Sequence, residues 1–400
     1  MATVSMSTLD SVLKYDYLGP IREQINNATP FLAELKKSSK EVVGKSVYLP
    51  LHYGRNSGVG ARGTSGTATL PTAGTQLYKE SIFLTKDIYG SIEISGKTIR
   101  ATRNDKGAFL RAVASETEGI TKDVGVDIDR QLVMSDTTGQ LTLTNGSDTS
   151  AVVTVDSTQY LEEGMVIDVG ADTSKTIASI DSETQITLSA SITWANDEVI
   201  KRAGVTSGDE LNGLDLFCRT TGAVQGLNPA TSGQEWWKAQ VFGTSGSPVP
   251  LTEIDMLDVC DDISKKGGSV DFLLGSYKFR TAFFNLLQDQ KRFGEVNKSM
   301  KLKGGFNALV WSAGEKDIPL VVNRFVQSSS TETRAYFLSK GDLGLYRMAD
   351  FEWMEEDGAI LARQTGSGKK EVYEGTLVCD MEFGTNARNR MGVLQGIQTV

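Results

Sequence analysis

Ser46-Val47-Tyr48-Leu49-Pro50-Leu51-His52-Tyr53 sets Val47, Leu49, Leu51 and Tyr53 on alternate positions. That is the period-two pattern of a β-strand. Pro50 lacks an N–H for a second neighbour, which predicts a sheet edge. From Gly54 to Gln76 the chain carries six glycines and no aromatic residue. A connection longer than about 15 residues inside a compact domain is usually functional or disordered. Strand character returns over Leu77 to Leu84 and again at Ile92 to Ile94. The stretch reads as a two-stranded ribbon with a glycine-rich tip. At ~3.3 Å per residue such a ribbon reaches several tens of ångströms. Two strands alone are marginal in water, so a supporting partner surface is expected.

Upstream, residues 1–45 read as an arm. Leu9, Val12 and Leu13 form one short apolar stretch, and Phe31, Leu32 and Leu35 another, with Pro20 and Pro30 as breaks. The arm is too short to bury these groups against itself. It docks either on its own domain or on another copy. Downstream, Val113, Ile120, Val124, Ile128 and Leu132 recur at helical spacing and predict one long helix over 98–136, although Gly107, Gly119 and Gly125 argue against continuity.

Residues 140–203 change character. Short Thr-, Ser- and Val-rich runs at 141–144, 151–155, 164–169, 176–180 and 185–188 predict a small all-β unit. A mixed α/β stretch follows. Thr252 is expected to cap a helix that closes at Lys265-Lys266-Gly267-Gly268, and Ser276 to cap a second helix. Beyond residue 341 the pattern is β again, with Phe351 to Met354 and Ala359 to Arg363 expected to form a hairpin about Asp357-Gly358.

The chain has 400 residues and a formal net charge of -9. No Lys/Arg block exceeds a pair, so the basic face expected of a tight nucleic-acid binder is missing. No run approaches the ~18 apolar residues that cross a bilayer, and no signal peptide is read at the start. Cys218, Cys260 and Cys379 are far apart and odd in number, which predicts buried free thiols in a reducing compartment.

Motifs for chemistry are weak. Gly58-Val59-Gly60-Ala61-Arg62-Gly63 fits the dinucleotide pattern, but the Thr/Ser/Pro run after it will not open a helix. The single histidine, His52, sits in an alternating strand and reads as structural. Three scattered cysteines do not make a zinc site. Asp258-Asp261-Asp262 and Glu355-Glu356-Asp357 read as solvated faces before they read as cation sites. Trp236-Trp237 reads equally as core or as a docking spot. No catalytic, metal or cofactor residue is assigned, and no cofactor is expected.

The words Leu49-Pro50-Leu51-His52-Tyr53-Gly54-Arg55-Asn56, Gly58-Val59-Gly60-Ala61-Arg62 and Thr69-Leu70-Pro71-Thr72-Ala73-Gly74 resemble major capsid proteins of tailed bacteriophages. So do Ile92-Glu93-Ile94-Ser95-Gly96, Gly107-Ala108-Phe109 and Asp129-Arg130-Gln131-Leu132. The resemblance runs in order over most of the chain and is weakest at 140–203. It implies an α+β chain of the Hong Kong 97-like capsid fold, with an extended β-hairpin loop, a long spine helix and a small all-β insertion. On that mapping, 1–45 is the N-terminal arm and 46–95 the extended loop. Residues 96–139 with 341–400 form the peripheral domain, 140–204 the inserted β-domain and 205–340 the axial domain.

The implied function is self-assembly into an icosahedral virion head enclosing double-stranded DNA, built in the host bacterial cytoplasm. Implied partners are copies of the same chain in hexamers and pentamers, a separate scaffolding protein, a portal and decoration proteins. DNA would be enclosed without sequence-specific binding, and no membrane is involved. Arg55 and Arg62 are the intersubunit contacts expected in the loop, with Glu355, Glu356, Arg388 and Arg390 as further ones. Gly54, Gly90 and Gly96 are expected hinges. An encapsulin-like cellular compartment shares this fold, and a conventional soluble enzyme is the remaining alternative.

Overall fold

The computed structural model describes residues 28–61, 69–96, 106–290, 309–312, 316–349, 351–355, 362–363 and 372–399. Strand Val372–Thr385 organises the first sheet. Along one side it pairs with Lys86–Ser95. Along the other run Leu343–Arg347, Glu352–Trp353 and Ala362–Arg363, end to end and antiparallel to it. The expected hairpin is therefore corrected. Among the described residues, Glu352–Trp353 and Ala362–Arg363 pair with Val372–Thr385 and not with each other, because that long strand offers both of them one continuous row of backbone donors and acceptors. Asp357 and Gly358 lie outside the described residues.

The predicted long helix is present as Lys106–Met134, an unbroken 29 residues and so ~43 Å long. Ile128 and Leu132 are fully buried and Val124 nearly so. Gly119 and Gly125 do not interrupt it, and an added Cβ at either would meet nothing within 4 Å. The helix crosses strand Lys86–Ser95 at Gly90. A Cβ there would stand 2.6 Å from Val124 Cγ2 and 3.0 Å from Ile120 Cγ1. Gly90 is thus a close-approach glycine inside a paired strand, which corrects its expected role as a hinge.

Between this helix and the rest of the chain, six antiparallel strands span Gln140 to Arg202 in the spatial order 140–143, 199–202, 166–169, 172–182, 185–194, 148–154. The two end strands are tied by the Thr144–Val155 bridge and by Asp156 N–H donating to Leu143 O at 3.0 Å. The sheet closes on itself as a small barrel. Its centre is filled by Val153, Ile167, Ile177, Ile186, Ile192, Trp194 and Ile200. The barrel leans on the body through Gln159, which donates to the carbonyls of Arg324 and Val326, and through the Tyr160 hydroxyl on Phe325 O.

A second six-stranded sheet joins Gln240–Phe242, Gly392–Gln398, Glu332–Leu338, Phe272–Gly275, Asp317–Val322 and Val310–Ser312. Helices Glu253–Lys265 and Tyr277–Gln290 cover it. Thr252 and Ser276 cap them as expected, accepting from the backbone N–H of Asp255 and Phe279 at 3.2 and 3.0 Å. The first helix stops where Gly267 takes φ +78°.

The end of the arm packs on its own chain. Phe31 is fully buried between the rings of Phe272 and Phe383, and Lys36–Ser38 runs parallel to Leu343–Arg347. Leu9, Val12 and Leu13 lie outside the described residues.

Because Val124 and Ile120 leave no room at Gly90, Gly90→Ala is expected to cost about 1–3 kcal/mol through overpacking. The shift of the urea midpoint at unchanged slope measures it.

Candidate assembly surface

Three short sheet elements build the ribbon: Val42–Val43, Ser46–Gly54 and Leu77–Leu84. Register places Tyr48 opposite Ile82, Pro50 opposite Glu80, His52 opposite Tyr78 and Ser46 opposite Leu84 on one face. Val47 opposite Phe83 and Leu49 opposite Ser81 lie on the other. Pro50 stands where its strand has a neighbour on one side only, since the pairing with Val42–Val43 ends at Val47.

The inner face is buried. Val47, Leu49, Leu51 and Phe83 pack with Leu227, Trp237 and Tyr346 of the same chain, and Tyr53 stacks on Trp236 at 5.0 Å between centroids. This corrects the expectation that the whole ribbon needs a foreign support, because its strand-paired half rests on its own body. The outer face is the reverse. Tyr48, Tyr78, Ile82 and Leu84 are 45%, 66%, 40% and 52% exposed; Tyr48, Ile82 and Leu84 adjoin one another across the two strands, and Tyr78 lies beyond the Pro50–Glu80 pair on the same face. Beyond the strands, Val59 and Leu70 are exposed as well. Isolated exposed hydrophobic groups are ordinary, but a contiguous apolar face marks a contact surface.

The floor under the ribbon is loop 216–237, and Arg388 holds it. Arg388 is fully buried. Its Nε donates to Phe217 O, Nη1 to Gly222 O and Trp237 O, and Nη2 to Leu216 O, Arg219 O and Thr221 O, all within 2.9–3.3 Å. Burial pulls its pKa down to about 10. The intersubunit role expected of Arg388 is corrected: every donor is spent inside its own chain. Arg390 next to it is partly exposed and sits 3.6 Å from Asp342.

Arg55 is exposed and edges the same groove as Arg390 and Lys266, beneath the ribbon. The structure thus brings Arg55 and Arg390 together. Glu355 is exposed elsewhere, and Arg62 and Glu356 lie outside the described residues. His52 Nε2 lies 2.9 Å from both Gly54 O and Gln76 Oε1, and its ring packs on Tyr78 at 4.9 Å. It steadies the start of the ribbon tip. Of the Thr/Ser/Pro run after the glycine motif, Thr69 to Pro71 are irregular, and residues 62–68 lie outside the described residues. The three cysteines are buried and none forms a disulfide, and burial raises the thiols of Cys218 and Cys260. Among the described residues no group of three or more His, Cys, Asp or Glu side chains is arranged to hold a metal ion.

A buried ionic network missing from the sequence reading joins the elements beneath this surface. Arg130 binds Asp127 at 2.9 Å and Glu210 at 2.5 Å, and Arg202 approaches Asp127 at 3.2 Å. Burial alone would raise Asp127, but the two guanidinium groups overcome it and hold the carboxyl below its ordinary value. Lys86 donates to Glu210 O and lies 3.5 Å from Glu382. Glu382 accepts from the N–H groups of Asn212 and Phe383. It is pushed up to about 7 by burial, against the pull of Lys86 and those two donors. Asp129 accepts from Leu32 N–H and Asn323 Nδ2 at 2.8 and 2.6 Å, and burial raises it to about 6. Polar groups at i and i+1 around one helix give no periodic signal, so only the register of neighbouring elements could have exposed them.

No family model and no curated protein matches the chain. Solved structures do. A chain of the cyanophage A-1(L) capsid asymmetric unit aligns over 98% of this chain and 99% of its own, at 14% identity and a TM-score of 0.60. The fold is that of a phage capsid protein. A chain from the capsid of a native GTA particle shares this capsid fold over 99% of both chains, at 9% identity and a TM-score of 0.53. A chain of the holo-SrpI encapsulin complex from Synechococcus elongatus PCC 7942 aligns over 100% and 97%, at 11% identity and a TM-score of 0.49. The mixed helix-and-strand composition expected of the capsid fold is present. The alignments extend over nearly the full length of both chains.

Arg388→Lys offers three donors in place of a fork that reaches six carbonyls, leaving buried acceptors unmet. It is expected to lower stability by about 3 kcal/mol and to expose Trp237, read from denaturant unfolding by tryptophan fluorescence. Glu382 has a folded pKa of about 7 above an unfolded value of 4.5. Its contribution is therefore fully present below about pH 4.5 and lost as pH rises through 7. Glu382→Gln should shrink the fall in unfolding free energy between pH 5 and pH 8, and an unchanged fall would show that Glu382 is not its source.

Proposed function

We propose that this chain is the major capsid protein of a tailed bacteriophage, assembling with copies of itself into an icosahedral head around double-stranded DNA. The observation that carries the reading is the full-length likeness to the cyanophage A-1(L) capsid chain. The apolar outer face of the ribbon, Tyr48, Tyr78, Ile82 and Leu84, supports it, because that face lowers its free energy only when another surface covers it.

In this reading the chain follows the Hong Kong 97-like plan. Within 46–95, the ribbon Ser46–Leu84 is the extended loop and meets a neighbouring subunit through its outer face, while Lys86–Ser95 pairs inside the first sheet; helix Lys106–Met134 is the spine of a peripheral domain formed with 341–400. The barrel of 140–204 is an insertion and 205–340 the axial domain. Function is association, with obligate contacts burying on the order of 2,000 Å² or more. The net charge of -9 suits a wall that encloses DNA without holding it, since like charge keeps the polymer from adhering. Hexamers and pentamers, a scaffolding protein, a portal and decoration proteins are the partners this reading assigns, in a virion assembled in the bacterial cytoplasm. No reaction is assigned to the chain.

Negative-stain electron microscopy of the purified chain, alone and with its co-expressed scaffolding protein, is expected to show closed shells or their capsomers. A monomer or a small fixed oligomer under both conditions would sink the proposal. Tyr48→Glu with Ile82→Lys is expected to abolish shells while shifting the stability of the unassembled chain by only about 0.5 kcal/mol, as surface changes do. Shells of small size filled with a protein cargo, and no DNA, would instead place the chain with cellular compartments.

A further inference from the structure

Two unpartnered surfaces of the chain complement each other. The first is the groove of about 610 Å³ beneath the ribbon. Leu49, Leu51 and the stacked pair Tyr53–Trp236 supply its apolar wall. Arg55 and Lys266 stand exposed at its edge, with no ion pair to another described residue. Arg390 adds a third cation, and its partner Asp342 together with Glu41 supplies the two carboxylates. The groove is net positive on a chain whose net charge is -9.

The second surface is the outer side of helix Glu253–Lys265. Met256, Val259, Cys260 and Ile263 are its buried side. Ile254, Leu257, Asp258 and Asp261 share the opposite stripe at i, i+3, i+4 and i+7, which is one face of a helix. Ile254 is 69% exposed and Leu257 40% exposed, and Asp258 and Asp261 are exposed beside them. The stripe therefore joins two aliphatic side chains to two carboxylates that form no ion pair among the described residues.

We propose that the groove edged by Arg55, Lys266 and Arg390 receives this helix face from a second copy of the chain. Ile254 and Leu257 would lie against the Tyr53–Trp236 wall, and Asp258 and Asp261 would meet the cations. The inference rests on the capsid reading and deepens it by naming both halves of one contact. Groove and helix face are different patches, so the contact is heterologous and propagates head to tail, closing into a ring when the rotation permits. Opposite charges at the rim set register and association rate, and like charges there repel. The contact is consequently sensitive to salt, because the charges are screened over about 8 Å at physiological ionic strength.

The test uses the full-length chain in three charge-reversed forms: Arg55→Glu with Lys266→Glu, Asp258→Lys with Asp261→Lys, and all four together. All four positions are exposed, so each form is expected to melt as the parent does. Association is followed by sedimentation velocity across a salt series. Each double variant is expected to associate at least tenfold more weakly than the parent at low salt. The quadruple variant, with both surfaces reversed, is expected to recover association. Double variants that associate like the parent overturn the contact, as does a quadruple variant no better than the doubles. A parent chain that never associates, with or without its scaffolding protein, defeats the capsid reading itself and this contact with it.

Discussion

A buried guanidinium holds up the surface on which the ribbon lies. Arg388 reaches six carbonyl oxygens between Leu216 and Trp237, turning an irregular loop into a rigid floor. Irregular backbone inside a protein has unmet carbonyls that cost free energy unless a donor reaches them. Arginine suits the task because it carries five donors in one plane. On that floor stand Leu227 and Trp237, and against them pack Val47, Leu49, Leu51 and Phe83. The outer face of the ribbon is held in place only because the inner face has this support. Arg388 lies far from Tyr48 in the chain, yet it sets where Tyr48 points its surface.

A second constraint works under the long helix. Its last turns are enclosed on several sides, so Asp127, Asp129, Arg130 and Gln131 all lie within protein. Charges in such a place must find partners or neutralise. Here they find them on the barrel exit at Arg202, on the following loop at Glu210 and on the arm at Leu32. The geometry that satisfies the charges also fixes how barrel, arm and helix meet. Truncating one member leaves another uncompensated, which costs more than the pair contributes.

Much of the architecture was legible in the residues. Alternation at 46–53 marked the ribbon, the recurrence of Ile120, Val124, Ile128 and Leu132 marked the helix, and Thr252 and Ser276 announced helix starts. What escaped was tertiary. Asp357-Gly358 has the chemistry of a hairpin turn, but a 14-residue strand competed for the flanking segments. Gly90 read as freedom, whereas it is where a helix and a strand come closest. Arg388 read as an intersubunit contact, since nothing local distinguishes an arginine at an interface from one that serves six carbonyls of its own chain. In the candidate site, alternation marked Val47, Leu49 and Leu51 as one face of the ribbon, and the exposed apolar stripe opposite them emerged only from the pairing register. The meeting of Arg55 with Arg390 did not, because it depends on how distant segments lie together.

The barrel has a property of its own. Its first and last strands, Gln140–Leu143 and Val199–Arg202, are hydrogen-bonded neighbours, with Gln140 beside Lys201. The chain therefore enters and leaves through one narrow doorway. Whatever lies between those two strands can lengthen, shrink or be exchanged without altering the distance its host must span. The Thr144–Val155 bridge also ties the two end strands of the sheet together, which blunts the edge on which stray chains could add. That doorway makes the stretch between the two strands a suitable place to graft a foreign segment with little strain on the rest of the chain.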